Sequence, residues 1–105
     1  MPRWIRVAEL ADIPPGGAVE RTVEDRVVAL YNVEGTIFAL DGVCPHQGGP
    51  LGKGCLTGTI VTCPWHGWQF DVRTGQHQLS AAIRQPCYAA RVEQGAVWID
   101  LEGGP

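Results

Sequence analysis

Two short stretches, CPHQGG at residues 44–49 and CPWHGW at residues 63–68, constrain this chain more than anything else in it. Each opens on Cys-Pro and carries one histidine close behind. The full pattern is Cys44-x-His46, sixteen intervening residues, then Cys63-x-x-His66. Side chains on two separate loops serve one site only if a scaffold brings the loops together. The chain has four cysteines and three histidines, so this pairing uses two of each.

The scaffold reads as all-β. Residues 3–7 (RWIRV) suit a first strand, and Glu9 to Ile13 suits one helical turn stopped by Pro14-Pro15 and Gly16-Gly17. Arg26 to Val33 and Thr36 to Asp41 are rich in β-branched and aromatic residues and flank Glu34-Gly35, the signature of a hairpin. A second hairpin is expected from Tyr88 to Glu93 and Ala96 to Leu101 around Gln94-Gly95, with Val97, Ile99 and Leu101 on one face. A third short pair, Thr59 to Thr62 and Trp68 to Val72, brackets CPWHG. No amphipathic helix of ten residues is visible. With 14 glycines and 8 prolines in 105 residues, a turn-rich single domain over 1–105 follows. Both Cys/His segments then lie at strand ends, stiffened by Pro45, Pro50 and Pro64.

Charge and hydropathy exclude several classes. The net charge of −3 is spread out, and no basic stripe offers itself to nucleic acid. No apolar run reaches the roughly 18 residues of a spanning helix, and MPRWIRVAEL lacks the apolar centre of a secretory signal. The expectation is a cytoplasmic protein with reduced thiols, so the cysteines need a role other than disulfides. Two thiolates and two imidazoles suit zinc or an iron–sulfur cluster. Zinc fingers usually take two cysteines from one knuckle and two histidines from one helix. Mixed pairs on each loop suit a binuclear centre, with sulfur ligands on one iron and nitrogen ligands on the other.

CPHQGGPL through CPWHGWQFDVRTG resembles the two-loop signature of Rieske-type [2Fe–2S] proteins, and most closely the soluble Rieske ferredoxins that serve bacterial oxygenases. The similarity extends to Leu51, Gly54, Gly58, Phe70-Asp71 and Thr74-Gly75 and covers essentially the whole chain, with the cluster-binding loops at about 42–70. The resemblance implies small antiparallel sheets with a cluster at one tip, Cys44 and Cys63 on one iron, and His46 and His66 on the other. It implies a one-electron carrier between an NAD(P)H-dependent flavin reductase and a terminal oxygenase, with no catalytic site of its own. The alternatives are the small Rieske-like subunit of a nitrite reductase and a zinc-stabilised interaction module.

Replacing two thiolates by imidazoles leaves the oxidised cluster formally near neutral, which raises the potential into a window of roughly −150 to +300 mV. The respiratory members of the family have two further cysteines bridging the loops, and a serine and a tyrosine as donors to sulfur. Those positions here hold Gly49 and Trp65, and Trp68 and Phe70. With fewer donors, the potential is expected in the lower part of that window. Gln47, Gly48 and Gly67 lie beside the ligands, and their amides are candidate donors to cluster sulfur. Cys55 and Cys87 are expected to be ordinary thiols, Trp4 and Trp98 core residues, and His77 a solvated loop residue. Trp65 and Trp68 are expected either to shield the cluster and dock a partner or simply to pack. Glu9, Asp12, Glu20, Glu24 and Asp25 form an acidic region that either steers a basic partner or is a solvated face.

Overall fold

The computed structural model describes residues 2–44, 48–65 and 67–102. Among the described residues, nine strands build two antiparallel sheets. The larger contains β1 (Trp4–Glu9), β2 (Ala18–Val23), β3 (Arg26–Val33), β4 (Thr36–Asp41), β8 (Cys87–Glu93) and β9 (Ala96–Asp100), in the order β1-β9-β8-β4-β3-β2. The smaller contains β5 (Cys55–Thr57), β6 (Ile60–Thr62) and β7 (Gln69–Asp71), in sequence order. Single 3-10 turns at Leu10–Asp12 and Leu51–Lys53 are the helical elements among the described residues. The all-β expectation holds.

Local turn chemistry sets the hairpins. Glu34 and Gly35 have φ of 52° and 93°, and Gln94 and Gly95 have 51° and 77°. Both central residues are left-handed, as a two-residue turn matching the strand twist requires. Asn32 reinforces the first turn by accepting the Gly35 N–H on Oδ1 at 2.7 Å, while its Nδ2 donates to the Ile13 carbonyl at 2.6 Å. Two strands escaped the sequence reading. β2 (AVERTV) carries two charges, yet it pairs with β3 along its whole length, from Ala18 opposite Tyr31 to Val23 opposite Arg26. β5 is three residues long and pairs with β6.

The β3–β4 hairpin is buried on both faces, and this positions the site. Val28 and Leu30 of β3, with Ile37 and Ala39 of β4, point into a core shared with Ile13, Val97, Ile99 and Leu101. Their neighbours Ala29, Tyr31 and Leu40 point the other way, into a second core with Leu51, Val61, Phe70, Val72, Cys44 and Cys63. The period of two along one hairpin thus serves two apolar interiors. Val97, Ile99 and Leu101 lie together as expected. Trp4 and Trp98 do not join them: both are half-buried, and the Arg91 guanidinium lies 4.2 Å from the Trp4 ring centroid. The opposite sheet face leaves them partly in water.

Candidate metal centre

Cys44 follows β4 after a two-residue step, and Cys63 follows β6 directly. Both are 2% exposed and lie in the same apolar cluster. Their loops close by one hydrogen-bond pattern. The Cys44 N–H donates to the Gly49 carbonyl at 2.8 Å, and the Gly48 N–H returns to the Cys44 carbonyl at 2.9 Å. At the same offsets, Cys63 N–H donates to the Trp68 carbonyl at 2.8 Å and Gly67 N–H to the Cys63 carbonyl at 3.0 Å. Gly48 and Gly67 have φ of 73° and 75°, a conformation that a side chain resists and glycine adopts freely. The two stretches are therefore one structural device used twice, with the histidine third in one and fourth in the other. His46 and His66 themselves, with Gln47, lie outside the described residues.

This closure corrects one expectation. The Gly48 and Gly67 amides are engaged by the carbonyls of their own loops, so they do not stand ready as donors to sulfur.

The loops touch where the respiratory type is bridged. A Cβ placed on Gly49 would lie 2.6 Å from Cys63 Sγ, 3.2 Å from Trp65 Cγ and 3.3 Å from Trp65 Cβ. Positions 49 and 65 thus approach as closely as bridged cysteines do, and a tryptophan packed on a glycine takes the bridge's place. Two buried thiols and a glycine kept bare beside one of them fit a sulfur-rich group held between the loops.

Three buried residues that the pattern did not mark lie beside this arrangement. Tyr31 is fully buried, and its hydroxyl donates to the Leu51 carbonyl at 2.7 Å. Burial, and then the charge of Cys63, push the Tyr31 pKa far above its ordinary value. Gln85, 1% exposed, donates from Nε2 to the carbonyls of Asp41 at 2.6 Å and Val43 at 2.7 Å, fixing the chain just before Cys44. His77 is buried, not solvated, because a bridge to Phe70 carries it back under the second loop. No local signal announces Gln85, whose acceptors lie more than 40 residues away.

The other candidates separate cleanly. Cys55 is exposed on β5, and Cys87 is half-buried at the start of β8, its thiol pushed up mainly by burial. No disulfide joins the described cysteines. Trp68 packs against the second core, whereas Trp65 is 58% exposed. Asp71 ends β7 at the turn that follows it: it accepts the Arg73 N–H at 2.9 Å and the Arg73 guanidinium at 2.8 Å, which holds its pKa below the usual carboxylate range. The acidic region is largely neutralised, with Glu9 paired to Arg6, Asp12 to Arg21 and Glu24 to Arg3. No helix among the described residues is long and apolar enough to cross a membrane.

Comparison with known proteins agrees with this geometry. The chain is 40% identical to the ferredoxin component of the naphthalene 1,2-dioxygenase system of Pseudomonas aeruginosa, over 94% of this chain and 96% of that one. It superposes on Sphingomonas yanoikuyae B1 ferredoxin with a TM-score of 0.85 and 34% identity, covering 93% of this chain and 98% of the other. A chain of the complex of reduced oxygenase and oxidised ferredoxin in carbazole 1,9a-dioxygenase matches with a TM-score of 0.86 and 28% identity, over 97% and 96% of the two chains. The family model of the Rieske [2Fe–2S] domain matches residues 3–92, a span that contains both cysteine loops, and the chain belongs to that family.

Proposed function

We propose that the chain is a one-electron carrier, accepting electrons from an NAD(P)H-dependent flavin reductase and passing them to a terminal oxygenase in the cytoplasm. The whole of 1–105 acts as one domain without a catalytic site of its own. In this reading Cys44 and Cys63 hold one iron and His46 and His66 the other. What carries it is the convergence of two identically closed loops, whose cysteines are buried in one core and whose relatives are ferredoxin components of oxygenase systems.

When bound, the cluster supplies a one-electron couple. The protein's own residues set its environment. Ala29, Tyr31, Leu40 and Phe70 form an apolar floor beneath the cysteines, keeping water from that side. Hydrogen bonds to sulfur would ease reduction, yet the Tyr31 hydroxyl is spent on Leu51, the Gly48 and Gly67 amides are spent within their loops, and Trp68 and Phe70 bring no hydroxyl. A potential in the lower part of the Rieske window follows, as suits a donor to an oxygenase.

Trp65, at 58% exposure, and Val43, at 44%, stand next to ligand positions and give the cluster end an apolar rim. Both redox partners then use overlapping surface, and transfer is sequential. The test begins with iron and sulfide counts and electron paramagnetic resonance of the dithionite-reduced protein. Two irons, two sulfides and a rhombic signal of mixed histidine–cysteine ligation support the reading; a colourless protein containing zinc overturns it. Competition between reductase and oxygenase for the reduced protein is expected, and undiminished simultaneous binding would contradict the shared surface.

A further inference from the structure

One buried polar group is left unexplained by this account. His77 is 7% exposed, and its Nδ1 accepts the Leu79 N–H at 3.0 Å. An acceptor nitrogen carries no hydrogen, so in the neutral ring the hydrogen is on Nε2. That Nε2 is buried and has no hydrogen-bond partner among the described residues. What a histidine adds here to the bulk of an aromatic ring is the Nδ1 acceptor for the Leu79 N–H.

The ring's neighbours are aromatic. Its plane is perpendicular to that of Trp68, with centroids 4.6 Å apart and an angle of 86°, and to that of Phe70, at 5.2 Å and 89°. Trp68 and Phe70 are themselves 6.4 Å apart, so the three rings form one cluster. Perpendicular packing of this kind is favourable, and an aromatic face is a weak acceptor for an N–H that has no oxygen to meet. The backbone that carries the ring is tied as well: His77 N–H donates to the Ile83 carbonyl at 3.1 Å, and Gln78 N–H to the Gln69 carbonyl at 2.9 Å. The ring cannot turn without breaking the Leu79 bond or both aromatic contacts.

We propose that His77 is a positioning residue for the electron-carrying centre, acting through Trp68 on the Cys63 loop. Trp68 is the residue whose carbonyl takes the Cys63 N–H and closes that loop. By wedging the indole from beneath, the imidazole holds the carbonyl in register with Cys63 and keeps water from the inner side of the loop. The inference rests on the assignment of Cys63 to the cluster. A dry loop leaves the charge of the added electron less stabilised, so His77 is one of the residues that keep the potential low.

The test compares the holoprotein with H77N and H77F. Asparagine retains an oxygen near the Nδ1 position for the Leu79 N–H but has no ring. Phenylalanine retains the ring and loses the acceptor. For each, iron and sulfide content, midpoint potential, resonance g values and peptide-level hydrogen exchange are measured. H77N is expected to raise the potential, shift the g values and speed exchange in residues 60–70 by about tenfold or more, with residues 41–50 unchanged. H77F is expected to keep the potential and g values of the parent while residues 77–80 exchange faster. An H77N protein with full cluster, unchanged potential and unchanged g values would overturn the proposal, whatever its melting temperature. So would an H77F protein whose potential moves as far as that of H77N. If H77N does not hold a cluster, H77F alone decides: a potential or g values shifted from those of the parent would overturn the proposal. A parent protein lacking iron and sulfide would instead sink the cluster assignment, which keeps the two failures distinct.

Discussion

Replacing Gly75 by alanine tests how the connection between β7 and β8 supports the cysteine loops. Gly75 sits at φ +80°, where its N–H donates to the Asp71 carbonyl at 2.7 Å and its own carbonyl accepts the Gln85 N–H at 2.7 Å. A methyl group there would stand 2.0 Å from the Gln85 carbonyl oxygen and 3.0 Å from Cys87 Sγ. An ordinary carbon–oxygen contact begins near ~3.3 Å, so the Gln85 backbone must move by more than an ångström. The left-handed backbone costs a side chain about 1–2 kcal/mol. Overpacking adds about 1–3 kcal/mol, and weakening the Gln85 N–H bond about 1 kcal/mol. A total of roughly 3–6 kcal/mol is a large share of the ~5–15 kcal/mol that holds a domain of this size. Gly58→Ala is the control: its φ is +60°, but nothing lies within 4 Å of the added Cβ, so only the backbone contribution applies. The assay is thermal unfolding of the two holoproteins at one scan rate, followed by the visible absorbance of the cluster. Since 1 kcal/mol moves the midpoint by about 4–8 °C in small domains, Gly58→Ala should lose roughly 4–16 °C and Gly75→Ala about three times as much. Equal losses would refute the steric argument and leave only a generic cost of the left-handed backbone.

Further outcomes follow from the same geometry. Gln85→Leu removes two donors from the carbonyls of Asp41 and Val43 and should cost about 2–4 kcal/mol, with faster hydrogen exchange confined to residues 41–50; unchanged exchange there would show that the first loop does not depend on Gln85. Asp71 has its pKa lowered by Arg73, so its contribution to stability is present above the unfolded carboxylate value and is lost as pH falls through the folded one. Asp71→Asn should therefore flatten the loss of stability below about pH 4, by a small amount because Arg73 is exposed; an acid limb identical to the parent's would remove the pair from the account. Cys55→Ser, on an exposed β5 position, should leave the iron count as it was, and any loss of iron would mean that this thiol serves the cluster.

The parts of the fold that were legible in the sequence are those set by local chemistry. The Glu34-Gly35 and Gln94-Gly95 turns needed only their own two residues, and both hairpins formed where they were expected. β2 was missed because AVERTV alternates weakly and is a strand chiefly by virtue of its ladder to β3. The cysteines were legible because Cys-Pro repeats at loop positions with glycine four residues on. Tyr31, Gln85 and His77 were not, since each acts across the fold on a carbonyl or a ring that no spacing rule connects to it. The error on His77 is instructive. A histidine after a Thr-Gly turn reads as solvated, and only the bridge to Phe70 brings it inside.

The hairpin of β3 and β4 separates what can be altered in this protein. Because Val28, Leu30, Ile37 and Ala39 face one interior and Ala29, Tyr31 and Leu40 the other, the two inventories are interleaved residue by residue along the same strands. Exchanges on the first set change how durable the scaffold is. Exchanges on the second change the floor under the cysteines. Exchanges on the first set can therefore alter durability while that floor stays as it is. A single inserted residue in β3 cannot, for it would hand each interior the other's side chains at once. The frame is open to drift in content and closed to drift in length.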